Sequence, residues 1–263
     1  MATHSKTILF ITGAFVSHHC WDDWKAWFEQ KGYHAIAPPW PQKDAPAITL
    51  RQRQPDAGIA SLRLAPLAAH FAAIARELPE KPILIGHSMG GLIVQLLLQQ
   101  GLAEAGIAIH SLQPKGVFTF KWSFFKAGWG PLGFFTPAKK SFLMSFSQWQ
   151  YAFTNGMPYD EQKEAYYQFL TPESKLLVRD AITDAAKVDF TLPHAPLLFI
   201  AGATDHFIPA SLNHSNYKKY SHQNSVTDFV EFPERNHFVL GQPGWEAHAA
   251  YILNWLNQLP VNK

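Results

Sequence analysis

The segment Gly86-His87-Ser88-Met89-Gly90 sets one serine between glycines two positions to either side. Three matched positions arise by chance in roughly one chain of this length in ten, so the setting has to carry the reading. An apolar run at 82–86 enters the segment as a strand, and a helical pattern rich in Leu, Ile and Gln leaves it over 91–100. A serine on a sharp strand-to-helix turn is held in a strained conformation with its hydroxyl projecting from the sheet. Strand and helix approach closely there, which leaves no room for side chains at Gly86 and Gly90. The N–H of Met89, at the start of the helix, then points at the reaction centre, where it would favour negative charge developing on a carbonyl oxygen.

A serine hydroxyl is a poor nucleophile until a base takes its proton. Of the 13 histidines, His237 follows a strand expected at 226–232 by one short loop. That places it at the carboxyl end of a parallel strand, where chemistry collects in open α/β sheets. His206, His214, His222 and His248 fall in loops or on a helix without that placement. The carboxylate to orient His237 should end the preceding strand, expected at 197–201, and Asp205 does so. It would fix one imidazole tautomer and stabilise the protonated ring. Asp184, Asp189 and Asp228 are alternatives, none just past a strand end.

These side chains need a frame to converge. Short apolar runs at 6–12, 34–37, 82–86, 107–112, 197–201 and 226–232 read as strands. Helical patterns at 21–31, 61–78, 91–100 and 246–259 lie between and after them, and 41–58 reads as a surface excursion. Strands alternating with helices predict parallel pairing in a sheet covered on both faces, hence continuously apolar strands. From about 116 to 190 the alternation breaks into a run of aromatic residues that includes Phe134 and Phe135, with helices expected at 160–169 and 172–186. The expected organisation is an α/β core of 1–115 and 191–263 with an aromatic-rich helical cap at 116–190.

On Gly86-His87-Ser88-Met89-Gly90-Gly91, on Gly202-Ala203-Thr204-Asp205-His206-Phe207-Ile208-Pro209 and on Asn236-His237-Phe238, the chain resembles the α/β-hydrolase superfamily over nearly its whole length. The resemblance implies that superfamily's fold, a mostly parallel sheet flanked by helices with an inserted helical cap. It also implies a Ser88–His237–Asp205 triad in the chain order of that fold. The compact start is similar to the plant-type methylesterase and hydroxynitrile lyase branch, without an assignment to it. Family members usually carry His-Gly after the first strand, and here the residues are Thr12-Gly13-Ala14-Phe15. The resemblance carries the second oxyanion-hole donor to the backbone N–H of Ala14, with Phe15 as the neighbouring alternative.

A serine in place of an aspartate nucleophile argues against dehalogenase or epoxide hydrolase chemistry. Ester, thioester, lactone or amide hydrolysis, C–C hydrolysis, cyanohydrin cleavage and perhydrolysis remain. The expectation is a cofactor-free carboxylic-ester hydrolase acting on small to medium apolar esters. The rivals are a small-ligand receptor on the same fold and a hydroxynitrile lyase, C–C hydrolase or lipase using the same triad. A few of Phe118, Trp122, Phe124, Phe125, Trp129, Phe146 and Trp149 are expected to face the site, while most of the aromatic run forms the cap's own core. Phe15, Trp122, Phe125, Trp129 and Phe238 are assigned to substrate binding. A further reading makes the cap a lid that docks on lipid, which Lys115, Lys121, Lys126, Lys139 and Lys140 allow.

Composition bounds the rest. The chain has 263 residues, 47% of them hydrophobic and 16% charged, with a formal net charge of +2. A core forms readily, and no basic run marks a nucleic-acid footprint. One cysteine, Cys20, excludes an internal disulfide and a Cys-based zinc site. Beside His18 and His19 it reads as a packed small residue, and Trp21, Trp24 and Trp27 read as helix-to-sheet packing. No metal is expected, and the partner is a small-molecule substrate. The apolar stretch 8–16 reads as a buried strand rather than a signal peptide. No apolar run is long enough to span a bilayer. The expected location is the cytoplasm.

Overall fold

The computed structural model describes residues 5–133, 135–137 and 139–259; Phe134, part of the aromatic run, lies outside the described residues. The chain opens with β1 (Thr7–Ile11), α1 (Asp22–Glu29), β2 (His34–Ile36), α2 (Ala47–Gln52), α3 (Ala57–Ala60) and α4 (Leu64–Glu77). It continues through β3 (Ile83–His87), α5 (Met89–Leu98) and β4 (Ala105–Ile109). An inserted stretch holds α6 (Trp122–Leu132), β5 (Ser141–Phe142), α7 (Phe146–Ala152), α8 (Tyr159–Phe169), β6 (Glu173–Ser174) and α9 (Lys175–Asp180). The chain then returns through β7 (Leu197–Gly202), α10 (Ala210–Tyr217), β8 (Thr227–Phe232) and α11 (Glu246–Gln258).

Six strands form one sheet in the order β2-β1-β3-β4-β7-β8, and every neighbouring pair in it is parallel. The inner strands β1, β3, β4 and β7 are buried along their whole length, as continuous Ile, Leu, Ala and Phe runs dictate. The edge strand β8 is only partly buried, with Asp228 and Glu231 exposed. Trp21 stacks on Phe10 of β1 with ring centroids 4.6 Å apart, and the Trp24 indole N–H donates to the Leu240 carbonyl at 2.9 Å. The Trp cluster therefore seats α1 on the sheet and on the segment before α11. Burial pushes the Cys20 thiol pKa up, as suits a packed small residue.

Two stretches differ from the sequence reading. Residues 41–58 are no plain surface excursion: they fold into α2 and α3, with Leu50 and Ile59 fully buried. Proline and charge mask the two short helices, each one or two turns long and without a sustained period. Residues 172–186 are not one helix. Glu173 and Ser174 pair with β5, the Ser174 hydroxyl then accepts the Leu177 N–H at 3.2 Å to cap the short α9, and a 3-10 turn follows at Asp184–Ala186. Among the described residues no helix is long and apolar enough to cross a membrane.

Candidate active site

Five segments bring functional groups to the carboxyl edge of the sheet: the loops after β1, β3, β4, β7 and β8. Ser88 sits between β3 and α5 with φ 55° and ψ −117°, outside the regions an L-residue favours. A Cβ at Gly86 would run into the Gly90 backbone, and one at Gly90 would run into the backbone of Ile11 and Thr12. Only glycine lets the turn press against the end of β1. The turn is tied down by the Ser88 N–H donating to the Ile109 carbonyl at 3.0 Å and by the Ser88 carbonyl accepting the Leu112 N–H at 2.9 Å.

The Ser88 Oγ lies 3.1 Å from His237 Nε2, and His237 Nδ1 lies 2.7 Å from Asp205 Oδ2. The other carboxylate oxygen accepts the N–H groups of Phe207 at 2.8 Å and Ile208 at 2.7 Å. Burial by itself would raise the Asp205 pKa, but the His237 charge and hydrogen bonds from His110 and His237 hold it well below the usual carboxylate range. An ionised carboxylate only accepts, so Nδ1 of His237 carries the hydrogen and the Nε2 lone pair faces the serine. The imidazole is walled by Phe153 and Phe207, with ring centroids 4.8 and 5.1 Å away. His87 fastens the same residue from behind through a 2.8 Å bond to the His237 carbonyl.

Three participants were not legible in the sequence. His110, at the end of β4 with φ 46°, places Nδ1 2.8 Å from the same Asp205 oxygen that His237 uses. Burial lowers its pKa and keeps it a neutral donor. His110, Asp205 and His237 form a group with metal-binding side chains, but each histidine turns Nδ1 to the carboxylate at hydrogen-bond distance. The other two are Lys43 and Glu173. Glu173 is wholly buried; its Oε2 accepts the Phe15 N–H at 3.2 Å and pairs with the buried Lys43 ammonium at 2.8 Å, while Oε1 accepts the Ser174 N–H at 2.9 Å. His110 fell inside the strand expected at 107–112, and only the end of β4 at Ile109 sets it at the sheet edge. Lys43 and Glu173 had no signal.

The loop after β1 is also stitched to the insertion by backbone bonds from Ser17 N–H to the Phe169 carbonyl and from Thr171 N–H to the Phe15 carbonyl, each 2.9 Å. With its amide given to Glu173, Phe15 is not free to act as a donor. The amides of Ala14 and Met89 donate to no group among the described residues and border the cavity beside Ser88.

That cavity has a volume of about 400 Å³ and is lined by aromatic and aliphatic side chains. Phe15, Phe125 and Trp129 take part in the lining, together with Phe118, Phe124 and Ile182. Two expected substrate contacts do not. Trp122 opens α6 pointing outward and is 75% exposed. Phe238 turns away from Ser88 because His237 beside it turns towards it, and its ring packs on Trp149 and Phe169 at 5.4 and 5.5 Å. Trp149 stacks on Phe153 at 4.5 Å, inside the insertion's own core. Gln113 is a polar lining residue that sequence reading passed over, as is Thr119; the Gln113 side-chain oxygen is buried without a hydrogen-bond partner among the described residues.

The sheet order and this arrangement of side chains define an α/β-hydrolase. The chain matches the alpha/beta hydrolase family over residues 8–249 and belongs to it. Its fold is similar to that of a methylesterase from Arabidopsis, with a TM-score of 0.66 and 15% identity over 96% of this chain and 99% of that one. It is similar to an extracellular α/β-hydrolase from Paenibacillus, with a TM-score of 0.71 and 15% identity over 94% and 98%. A pyrethroid hydrolase from Sphingobium faniae gives a TM-score of 0.63 and 18% identity over 96% and 97%. At these identities the likeness is one of fold. A sequence comparison with curated proteins finds no match.

Proposed function

We propose that the protein is a cofactor-free carboxylic-ester hydrolase for small to medium apolar esters. The observation that carries this reading is the unbroken contact from Ser88 Oγ through His237 to Asp205, at 3.1 and 2.7 Å, beside an apolar cavity of about 400 Å³. Ser88 Oγ attacks the ester carbonyl carbon as its proton passes to His237 Nε2. The carbonyl oxygen becomes an oxyanion between the N–H groups of Met89 and Ala14. As the tetrahedral species collapses, the C–O bond to the alcohol breaks and His237 returns the proton to that oxygen. Water then adds to the acyl-enzyme by the same path in reverse roles and releases the acid. Asp205 stays ionised throughout and steadies the imidazolium.

In this reading residues 116–190 are the cap, and Phe15, Phe125 and Trp129 with their lining neighbours hold the apolar part of the ester. The printed names of two structural neighbours, a methylesterase and a pyrethroid hydrolase, agree with ester chemistry. A lone buried cysteine suits a reducing compartment such as the cytoplasm. The test is turnover of a p-nitrophenyl ester series from acetate to long acyl chains by the wild type and by Ser88→Ala. The expected result is multiple turnover in the wild type and a loss on the order of 10⁴-fold or more in the variant, with an unchanged melting temperature. A single stoichiometric burst would replace this reading with the receptor. Cyanide release from mandelonitrile in the absence of ester turnover would replace it with the lyase.

A further inference from the structure

Between Glu104 and Asp160 the sequence holds no acidic residue, while Lys115, Lys121, Lys126, Lys139 and Lys140 fall inside that stretch. The same stretch carries the most exposed large apolar side chains among the described residues: Phe120 at 94% exposure, Phe135 at 88%, Phe118 at 75% and Trp129 at 64%, along with the outward Trp122. Single exposed apolar residues are ordinary, but a group of aromatic rings at one opening is not. Phe118, Phe125 and Trp129 both line the cavity and stand open to solvent, so the aromatic group surrounds the cavity mouth. Trp129 and Phe135 extend it sideways, with ring centroids 6.1 Å apart.

The unpaired charges on this stretch are of one sign. Lys115 pairs with Asp184 and Lys126 lies over the Tyr151 ring, but Lys121, Lys139 and Lys140 have no ion-pair partner among the described residues. Behind them, burial first and then the charges of Arg179 and Lys140 lower the Lys175 pKa, as a positive field requires. A second copy of this face would bring lysines onto lysines. An anionic lipid surface offers the complement in both respects, apolar depth for the rings and negative headgroups for the ammonium groups.

We propose that the described residues of 115–140 form a docking face for anionic lipid surfaces, which presents the cavity mouth to esters dissolved in the lipid. Exposed rings enter the headgroup boundary, the lysines hold the headgroups, and an apolar substrate reaches Ser88 without crossing water. Binding itself needs no Ser88 chemistry, so it is read with the Ser88→Ala variant as well as the wild type.

The experiment is flotation of the full-length protein with vesicles of phosphatidylcholine alone or mixed with phosphatidylglycerol. Phe120→Ser/Trp122→Ser and Lys139→Gln/Lys140→Gln serve as variants, since none of these four residues lines the cavity. Wild type and Ser88→Ala should float with the anionic vesicles and far less with neutral ones. Each lysine near the surface contributes about fivefold, so the lysine pair should lower partitioning by roughly 25-fold. The aromatic pair should lower it by on the order of tenfold or more. The aromatic pair and the lysine pair should both keep wild-type turnover of a water-soluble ester. Equal flotation on both vesicle types, or flotation that neither pair changes, overturns the proposal. So does self-association in sedimentation that the aromatic pair abolishes without any vesicle binding, which would make the occupant a second copy.

Discussion

Asp205 spends every acceptor position it has: two on backbone N–H groups and two on imidazoles. His237 is one of those imidazoles, and His110 is the other. His110→Ala should therefore lose a charge-assisted hydrogen bond of about 1.5–3 kcal/mol and leave a cavity. Urea unfolding should report that loss. Activity should fall by no more than about tenfold, because three contacts still orient the carboxylate. A fall as deep as that of Asp205→Asn, on the order of 10⁴-fold, would make His110 indispensable to the reaction. The elbow was legible because its requirements are local: Gly86, Ser88 and Gly90 report a turn within five residues. His110 was not, since its link to Asp205 spans 95 positions and nothing beside it in sequence announces a carboxylate.

At the scale of elements, β6 and the loop before α2 meet the loop after β1 through one buried ion pair. Lys43 and Glu173 lie 130 positions apart and belong to stretches that read as a surface excursion and as part of a helix. The pairing was invisible for that reason. Once formed, it anchors the loop after β1 through the Phe15 amide. Glu173→Gln keeps an acceptor for the Phe15 amide but leaves the Lys43 ammonium buried without its countercharge, which should cost about 3–5 kcal/mol in urea unfolding. Lys43→Met combined with Glu173→Gln should recover much of that loss. In kinetics, the single variant should lower kcat by about tenfold or more with little change in KM, because the Ala14 amide follows its neighbour. A change confined to KM would place Glu173 outside the support of the oxyanion site. The aromatic run showed the same limit of sequence reading: its composition announced an apolar mouth, yet which residues of α6 line the cavity, Phe125 and Trp129 rather than Trp122, was set by packing across the chain.

Across the whole molecule the buried histidines set the response to acid. Burial holds His87 and His110 below their ordinary range and brings His248 down to about 3. The unfolded chain protonates these rings near pH 6.5, whereas the native chain does not. Between that value and the native ones the unfolded state binds more protons, so stability falls as pH falls. Each ring should contribute about 1.4 kcal/mol per pH unit once the fall is under way. Asp205 adds to this only near and below about pH 3.9, where the unfolded carboxyl protonates and the native one resists. The melting temperature should therefore decline steadily from pH 7 to pH 5. His248→Leu should flatten the decline, since neither ring nitrogen has a hydrogen-bond partner among the described residues. The strands were readable as short apolar runs between helical patterns, whereas their order in the sheet and the edge position of β8 came only with the fold. What joins the sheet to its insertion was not readable either. The Phe15 and Ser17 backbone bonds to Thr171 and Phe169, with the Lys43–Glu173 pair, mean that residues 116–190 cannot be exchanged as a cassette between relatives. A chimera that imports a foreign insertion while keeping residues 13–17 and Lys43 should fold yet turn over poorly, and one that transplants all three together should work.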